Sequence, residues 1–171
     1  AVLGDEGAGK TSLMRLLCGD LVATAGQLRL LSEAAPLSLP QPSAVFWIDL
    51  RLPLHDNDTP AQCWAQFRVS LPAWSNETQH ELIETLQLAP HLDKRLNMLS
   101  TGSRRRVGLV AALASGATVT LLAQPFVSLA QPSIRSLQAF LAQQGQNTDR
   151  AWLIADYEEP AHLPLVSVIQ L

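Results

Sequence analysis

The chain is poor in charged and aromatic residues and has only two cysteines, which narrows the classes of protein it can be. Charged residues fill 16% of its 171 positions and aromatic residues 5%. A net charge of −3 argues against a nucleic-acid partner, because surfaces that bind nucleic acid concentrate lysine and arginine. Cys18 and Cys63 lack metal-ligand spacing, so we expect both to be buried thiols of a reducing compartment.

Long apolar runs and a leader pattern are also missing. No run of about eighteen apolar residues occurs, so the sequence predicts no membrane-spanning helix. The 47% hydrophobic content is enough for one domain with a sizeable core. Ala1, rather than a methionine, opens the chain inside an apolar run, which suggests an N-terminally truncated or excised domain.

What the sequence does contain is a glycine-rich segment, residues 4–11, that reads Gly-Asp-Glu-Gly-Ala-Gly-Lys-Thr. It matches the phosphate-binding loop (P-loop) pattern G-x-x-x-x-G-K-[ST], in which backbone N–H groups and a helix N-terminus surround phosphates. Lys10 would reach the β- and γ-phosphates of a nucleotide, and the Thr11 hydroxyl would ligate magnesium. The nucleotide-binding residues predicted here are Gly4, Asp5, Glu6, Gly7, Ala8, Gly9, Lys10, Thr11 and Ser12. We expect the side chains of Asp5 and Glu6 to face solvent.

Strands and helices alternate in the predicted secondary structure, which is typical of a mainly parallel sheet flanked by helices in an α/β fold. Hydrophobic periodicity and punctuation by proline and glycine predict helices over 10–18, from 60 onward, 77–88, 90–94, 100–115 and 133–144. The same signals predict strands over 1–3, 27–31, 44–50, 119–122, 151–155 and 166–171. The proline-rich stretch 33–43 is predicted to be a loop.

A second motif, Leu99-Ser100-Thr101-Gly102-Ser103, precedes three arginines and an alanine- and leucine-rich helix. It stands about ninety residues after the P-loop and about twenty before an apolar strand that ends in proline. This order resembles the ATP-binding-cassette (ABC) ATPase family, whose signature reads L-S-G-G-Q. The resemblance covers nearly the whole chain. It implies a P-loop NTPase fold, with residues 1–171 forming one nucleotide-binding domain and a helical subdomain at approximately 54–115 carrying the signature.

The resemblance also implies ligands and partners. In this family two domains pair head to tail, so the Ser100 hydroxyl and the Gly102 N–H would contact the γ-phosphate of ATP held by the partner. A plain helix N-cap is the alternative role for Ser100. ATP with Mg²⁺, a second nucleotide-binding domain in a homo- or heterodimer, and a membrane permease are therefore expected, at the inner face of the membrane. The run Arg104–Arg106 is expected to be a solvated helix face.

At the hydrolytic positions the chain departs from the family pattern. The family has Asp-Glu-Pro after the strand that follows the signature helix, whereas this chain has Ala123-Gln124-Pro125. Ala123 offers no oxygen to magnesium, and the amide of Gln124 cannot accept a proton as a carboxylate can. In the family, a switch histidine contacts the γ-phosphate. The resemblance places Asp156 at the position of that histidine, where its charge would repel a nucleotide. We therefore expect a weakened Mg²⁺ site and slow or absent hydrolysis, unless Asp156 or Glu158 substitutes from a shifted position.

Two further family positions also differ, since Asp49 replaces the Q-loop glutamine and Ala130 the D-loop aspartate. The four histidines, at positions 55, 80, 91 and 162, are out of register for the switch role and are expected at the surface or in caps. Gln124-Pro125-Phe126 is similar to the Asp-Glu-Pro-Phe of the small haem-exporter ATPases of cytochrome c biogenesis, and Phe126 carries most of that similarity.

Two functions fit these residues. The first is an ATP-binding subunit that couples ATP binding to membrane transport. The second is a catalytically inactive regulatory or scaffolding module of the ABC type. An unrelated P-loop kinase or GTPase is disfavoured, because it would not need the L-S-x-G motif and a GTPase would carry an N-K-x-D motif that is absent here.

Overall fold

A parallel five-stranded sheet organises the fold in the computed structural model, which describes residues 1–26, 29–30, 37–38, 44–50, 52–146 and 149–171. The strands are β1 (Val2–Leu3), β2 (Arg29–Leu30), β3 (Leu37–Ser38), β4 (Val45–Phe46), β5 (Val119–Ala123), β6 (Ala151–Asp156) and β7 (Ile169–Gln170). The sheet order is β4-β5-β6-β1-β7, with every pairing parallel, while β2 and β3 form a separate antiparallel pair. This is the α/β architecture that the alternating pattern predicted.

Within the described ranges, five α-helices and three short 3₁₀ turns connect the strands. The helices are α1 (Lys10–Cys18), α2 (Pro60–Ser70), α3 (Asn76–Thr85), α4 (Thr101–Ala114) and α5 (Gln131–Gln144). The 3₁₀ turns are Pro53–His55, Ala89–His91 and Leu96–Met98. Every element between residues 52 and 118 is helical. No helix in the described ranges has both the length and the apolar character to cross a membrane.

The strand register brings three strand ends together. Parallel pairing sets Leu3 of β1 opposite Asp156 of β6, and Ala123 of β5 opposite Ala155 of β6. Loops that follow parallel strands all leave at the carboxyl edge of the sheet, where ligands of α/β proteins bind. The segment after β1 therefore lies beside the residues that follow β5 and β6.

The core joins this sheet to the helical region. Helix α4 is buried from Val107 to Ala114 and packs on β5. Its Gly108 faces Leu50, where an added Cβ would lie in ordinary van der Waals contact, 3.5 Å from Cδ1 of Leu50. The Trp64 indole of α2 is 1% exposed and donates its N–H to the Val107 carbonyl of α4 at 3.1 Å.

Several element boundaries differ from the predictions. Within the predicted loop 33–43, Leu37–Ser38 forms β3, which pairs with Arg29–Leu30; residues 27, 28 and 31 of the predicted strand 27–31 lie outside the described residues. The predicted strand 44–50 is regular only at Val45–Phe46, and the predicted last strand only at Ile169–Gln170. Residues 90–94 are not an α-helix. Residues 90 and 91 belong to the 3₁₀ turn Ala89–His91, and residues 92–94 follow that turn.

Helix α3 ends at Thr85 rather than at residue 88 because the backbone closes a Schellman motif. Gln87 adopts a left-handed φ of 53° and donates its N–H to the Glu84 carbonyl at 2.9 Å. Leu88 donates its N–H to the Ile83 carbonyl at 2.8 Å and is fully buried.

Helix α2 begins as predicted, with a capping box between Thr59 and Gln62 and with Pro60 in the first turn.

Candidate functional site

The glycine-rich segment forms the turn between β1 and α1 that the sequence predicted. Gly7 and Gly9 have φ values of +83° and +104°, a region that strongly favours glycine, although a Cβ at either position would meet nothing within 4 Å. At Gly4 the constraint is space, since a Cβ would lie 3.0 Å from Cβ of Ala8. Gly9 is the N-cap of α1 and supplies no side-chain acceptor, so first-turn N–H groups are available to an anion.

The Lys10 side chain folds back onto this loop. Its amine donates to the carbonyl oxygens of Gly4 and Asp5, the latter at 2.8 Å. The same nitrogen lies 4.5 Å from the centroid of the Tyr157 ring, a cation–π distance. Two carbonyls and one aromatic face thus hold the only cationic side chain of the loop in position.

A cavity of about 290 Å³ opens between the loop and the carboxyl ends of β5 and β6. It is lined by Asp5, Glu6, Gly7, Gly9, Lys10, Thr11, Ser12, Met14, Ala123, Gln124, Ala155 and Tyr157. Most of the predicted nucleotide-binding residues meet here, whereas Gly4 and Ala8 do not line the cavity. The side chains of Asp5 and Glu6 are exposed, as predicted. Phosphate groups fit this cradle, because glycine conformation, free amide donors and a lysine converge on it.

The opposite wall of the cavity, formed by the ends of β5 and β6, carries no carboxylate. Ala123 and Gln124 both line it, at the positions where the family resemblance predicts an acidic pair. Among the residues that the structure describes, no cluster of three or more His, Cys, Asp or Glu side chains could hold a metal ion. Magnesium prefers oxygen ligands and usually binds through one or two carboxylates plus phosphates. The wall offers the Gln124 amide, and the loop offers the Thr11 and Ser12 hydroxyls beside the exposed carboxylates of Asp5 and Glu6.

Tyr157, which follows β6, lines the cavity, whereas Asp156, the last residue of β6, does not. The Asp156 carboxylate instead accepts a hydrogen bond from the Tyr157 N–H at 2.8 Å. The family spacing points to Asp156, so the sequence did not indicate Tyr157 as a cavity residue. Tyr157 is 48% exposed.

The signature segment begins α4 about as predicted. Ser100 is the helix N-cap, with its hydroxyl accepting from the Ser103 N–H at 3.2 Å and donating to the Ser103 hydroxyl at 3.1 Å. The capping role of Ser100 is therefore present, while contact with a partner's phosphate stays a prediction. Leu99 is buried and Thr101 is exposed. Gly102 abuts the segment after β5, where a Cβ would lie 3.3 Å from Cβ of Ser128.

The expectation of a solvated arginine face on α4 is wrong. Arg104 donates to the Leu52 carbonyl at 3.2 Å and to the Asp56 carboxylate at 2.6 Å. Arg106 donates to the Leu86 carbonyl at 2.8 Å and to the Ser103 hydroxyl at 2.9 Å. The guanidinium of Arg105 reaches the segment after β5. These side chains are enclosed because three segments converge on the first turns of α4.

The remaining candidate positions have simpler surroundings. Asp49 borders a small cleft of about 60 Å³ that Arg105 and Gln124 also line. Ala130 is the N-cap of α5 and provides no side-chain hydrogen bond. His55 is buried and lies 3.0 Å from the Asp58 carboxylate, so it is not the surface residue expected.

The other histidines and the two cysteines were predicted with mixed success. His80 and His162 are exposed, and His91 is partly buried. Cys63 is fully buried, and desolvation, with a smaller contribution from Asp58, raises its pKa to about 12. Cys18 is only half-buried, contrary to expectation, because it lies in the last turn of α1; burial raises its pKa as well.

Comparison with known proteins agrees with this geometry. The family model for the ABC transporter matches residues 1–127. The cytochrome c biogenesis ATP-binding export protein CcmA of Pseudomonas syringae pv. syringae is 34% identical over 148 residues, which cover 83% of this chain and 67% of that protein. The taurine import ATP-binding protein TauB of Pseudomonas entomophila is 32% identical over 165 residues, which cover 94% of this chain and 63% of that protein. The chain thus spans about two thirds of the length of these relatives.

A solved structure shares the fold. The ATP-binding cassette MJ0796, determined as a dimer in a post-hydrolysis state with ADP and Pi, superposes with a TM-score of 0.67 at 16% identity, covering 92% of this chain and 73% of its own. The two relatives, at 34% and 32% identity, are too evenly matched to single out one transported substrate. The family match over residues 1–127, the two relatives and the P-loop geometry together establish that the chain belongs to the ABC transporter family.

Proposed function

We propose that this chain is the ATP-binding component of an ABC transporter, and that it binds ATP but hydrolyses it slowly or not at all. The observation that carries the binding half is the P-loop cavity, where Lys10 and the open glycine backbone face the same space of about 290 Å³. On binding, Lys10 would exchange its carbonyl partners for phosphate oxygens. Phosphate oxygens carry the opposite charge, so each bond of the lysine would become an ion-paired hydrogen bond instead of one to a neutral carbonyl.

The proposal of slow hydrolysis rests on the wall made by Ala123 and Gln124. A bound nucleoside triphosphate supplies an electrophilic phosphorus and a leaving group, and the protein must orient water and receive its proton. The Gln124 amide can orient water through hydrogen bonds but cannot take up the proton. Loss of a positioned general base typically costs 10²- to 10⁴-fold in rate.

The Mg²⁺ site is proposed to be weaker than is usual in the family. The Thr11 hydroxyl remains as a protein ligand beside the phosphates, and the Gln124 amide oxygen borders the same cavity. Ala123 cannot contribute an oxygen, directly or through water. We therefore expect nucleotide affinity to depend only modestly on magnesium, because most of the binding free energy would come from the loop.

The proposed partners follow from family membership. The chain would pair with a second nucleotide-binding domain and present its signature segment, residues 99–103, to that partner. Together they would sit against a membrane permease at the cytoplasmic face. The helical region, approximately residues 54–115, would act as the subdomain that carries the signature.

A regulatory or scaffolding module of the ABC type is the second candidate. The carboxylate-free wall at Ala123 and Gln124 favours it, because such a module needs bound nucleotide only as a structural ligand. The two candidates differ in their response to a permease. A transporter component should bind a multi-helix permease in detergent, and its ATP affinity should change on that binding.

The primary test is an equilibrium titration of the chain with a fluorescent ATP analogue, with and without Mg²⁺. Saturable binding that Lys10→Ala weakens about 100-fold, together with phosphate release near background, is the expected result. Absence of saturable binding would overturn the proposal. Rapid phosphate release that Lys10→Ala removes would overturn the slow-hydrolysis half and leave the binding half in place.

A further inference from the structure

A short turn, residues 124–128, lies between the nucleotide cavity and the signature segment of the same chain. Gln124, its first residue, lines the cavity and donates its backbone N–H to the Ala155 carbonyl of β6 at 2.8 Å. Ser128, its last residue, packs against Gly102, where a Cβ would lie 3.3 Å from Cβ of Ser128. The turn therefore contacts both sites directly.

The backbone of this turn is held in an unusual conformation. Gln124 and Ser128 have φ values of +48° and +64°, in the left-handed region that residues with a Cβ rarely adopt. A hydrogen bond from the Val127 N–H to the Gln124 carbonyl at 3.3 Å closes the turn. Such backbone is maintained by its surroundings, so the turn can change conformation when a contact at either end changes.

Arg105 of α4 forms two hydrogen bonds with this turn. Its Nη1 donates to the Gln124 carbonyl at 3.1 Å and to the Val127 carbonyl at 3.4 Å. Its two neighbours bind elsewhere, Arg104 to the segment after β4 and Arg106 to the residue after α3. Of the three arginines, Arg105 is the one that reaches a cavity-lining residue.

We infer that Arg105 is a positioning residue that couples occupancy of this chain's own nucleotide cavity to the geometry of its signature segment, residues 99–103. The inference rests on the proposed function. A phosphate that contacts Gln124 reorients its peptide group, and the Gln124 carbonyl moves with it. Because Arg105 binds that carbonyl, the first turns of α4 follow. The coupling is reciprocal, so a partner that fixes the signature segment also changes nucleotide affinity.

The test is hydrogen–deuterium exchange of peptides covering residues 99–107, with and without saturating ATP analogue. It uses the whole chain at a concentration where light scattering gives the monomer mass, so that dimer contacts do not protect the segment. The variants are Arg105→Gln and the matched control Arg135→Gln, an exposed arginine on α5. Nucleotide should slow exchange at least threefold in the unsubstituted chain and in the control. In Arg105→Gln this protection should disappear, while nucleotide affinity stays within threefold.

Full protection in Arg105→Gln with nucleotide bound would overturn the coupling and leave the proposed function intact. Failure of the unsubstituted chain to bind nucleotide would overturn the proposed function, and the coupling with it. Should Arg105→Gln not fold, the unsubstituted chain labelled with ¹⁵N-arginine provides the decisive measurement. The Arg105 Nε–Hε resonance should shift on nucleotide binding, and an unmoved resonance at saturation would contradict the inference.

Discussion

The two sides of the nucleotide cavity differ in what carries their chemistry. On the loop side, the proposed binding surface consists of backbone amides and the left-handed glycines Gly7 and Gly9, with Lys10 as its cationic side chain. On the strand side, any catalytic contribution must come from side chains, and Ala123, Gln124 and Tyr157 are not carboxylates. Under the proposed function, nucleotide binding and hydrolysis would depend on different strands of one sheet, so one activity could be lost while the other is kept.

The largest effect is expected from removing the loop's charge. Lys10→Ala should weaken binding of an ATP analogue about 100-fold, because charge-assisted hydrogen bonds contribute roughly 1.5–3 kcal/mol each. The measurement is a fluorescence titration. The control is Lys94→Ala, which removes the only other lysine of the chain. Lys94 is exposed, so this variant should bind the analogue as the unsubstituted chain does. Equal affinities for the two variants would show that the loop side does not dominate binding.

Restoring the strand side should sharpen the contrast. The double variant Ala123→Asp, Gln124→Glu should raise phosphate release at least tenfold and make it depend on Mg²⁺, because a metal-holding carboxylate and a proton acceptor return together. The assay is phosphate release at saturating ATP. The single variant Gln124→Asn keeps an amide and serves as the control. No gain in the double variant would mean that the wall is not what limits hydrolysis.

A smaller effect is expected where the two sides touch. Tyr157→Ala should weaken ATP binding about threefold, since an exposed cation–π contact such as that with Lys10 contributes roughly 0.5–1 kcal/mol. Tyr157→Phe keeps the ring face and should change affinity less than twofold in the same titration. If both variants lose affinity equally, the phenol hydroxyl rather than the ring face is the contributing group.

The smallest effect is expected on the stability of the fold, at the start of the helix that follows β5. Ala130 is the N-cap of α5 without a side-chain acceptor, and its backbone is extended, as an N-cap requires. Ala130→Asp should raise the free energy of unfolding by about 1 kcal/mol in urea denaturation, because its carboxylate can accept from first-turn N–H groups. Ala130→Leu cannot cap and should give no increase. A gain in the leucine variant would assign the effect to packing instead.

The sequence predicted best the features that local residue order encodes. Residues 4–11 and the Thr59–Pro60 helix start depend on neighbours in the chain, and both have the predicted geometry. Enclosure is a tertiary property, so the part-buried contacts of Arg104–Arg106 could not be inferred from an exposed-looking charge run. Tyr157 was missed because the family spacing points to the neighbouring Asp156, and β3 because two flanking prolines, Pro36 and Pro40, indicated a loop.

The hydrogen bond from the Trp64 indole to the Val107 carbonyl also has a consequence for the unfolding of the protein. An indole N–H buried without an acceptor is costly, so α2 and α4 should unravel together rather than in sequence. Helix α4 packs on β5, so this cooperative unit extends into the sheet. A destabilising substitution in α2, far from any phosphate, would therefore lower the amount of folded protein in the cell and leave the nucleotide affinity of the surviving molecules unchanged.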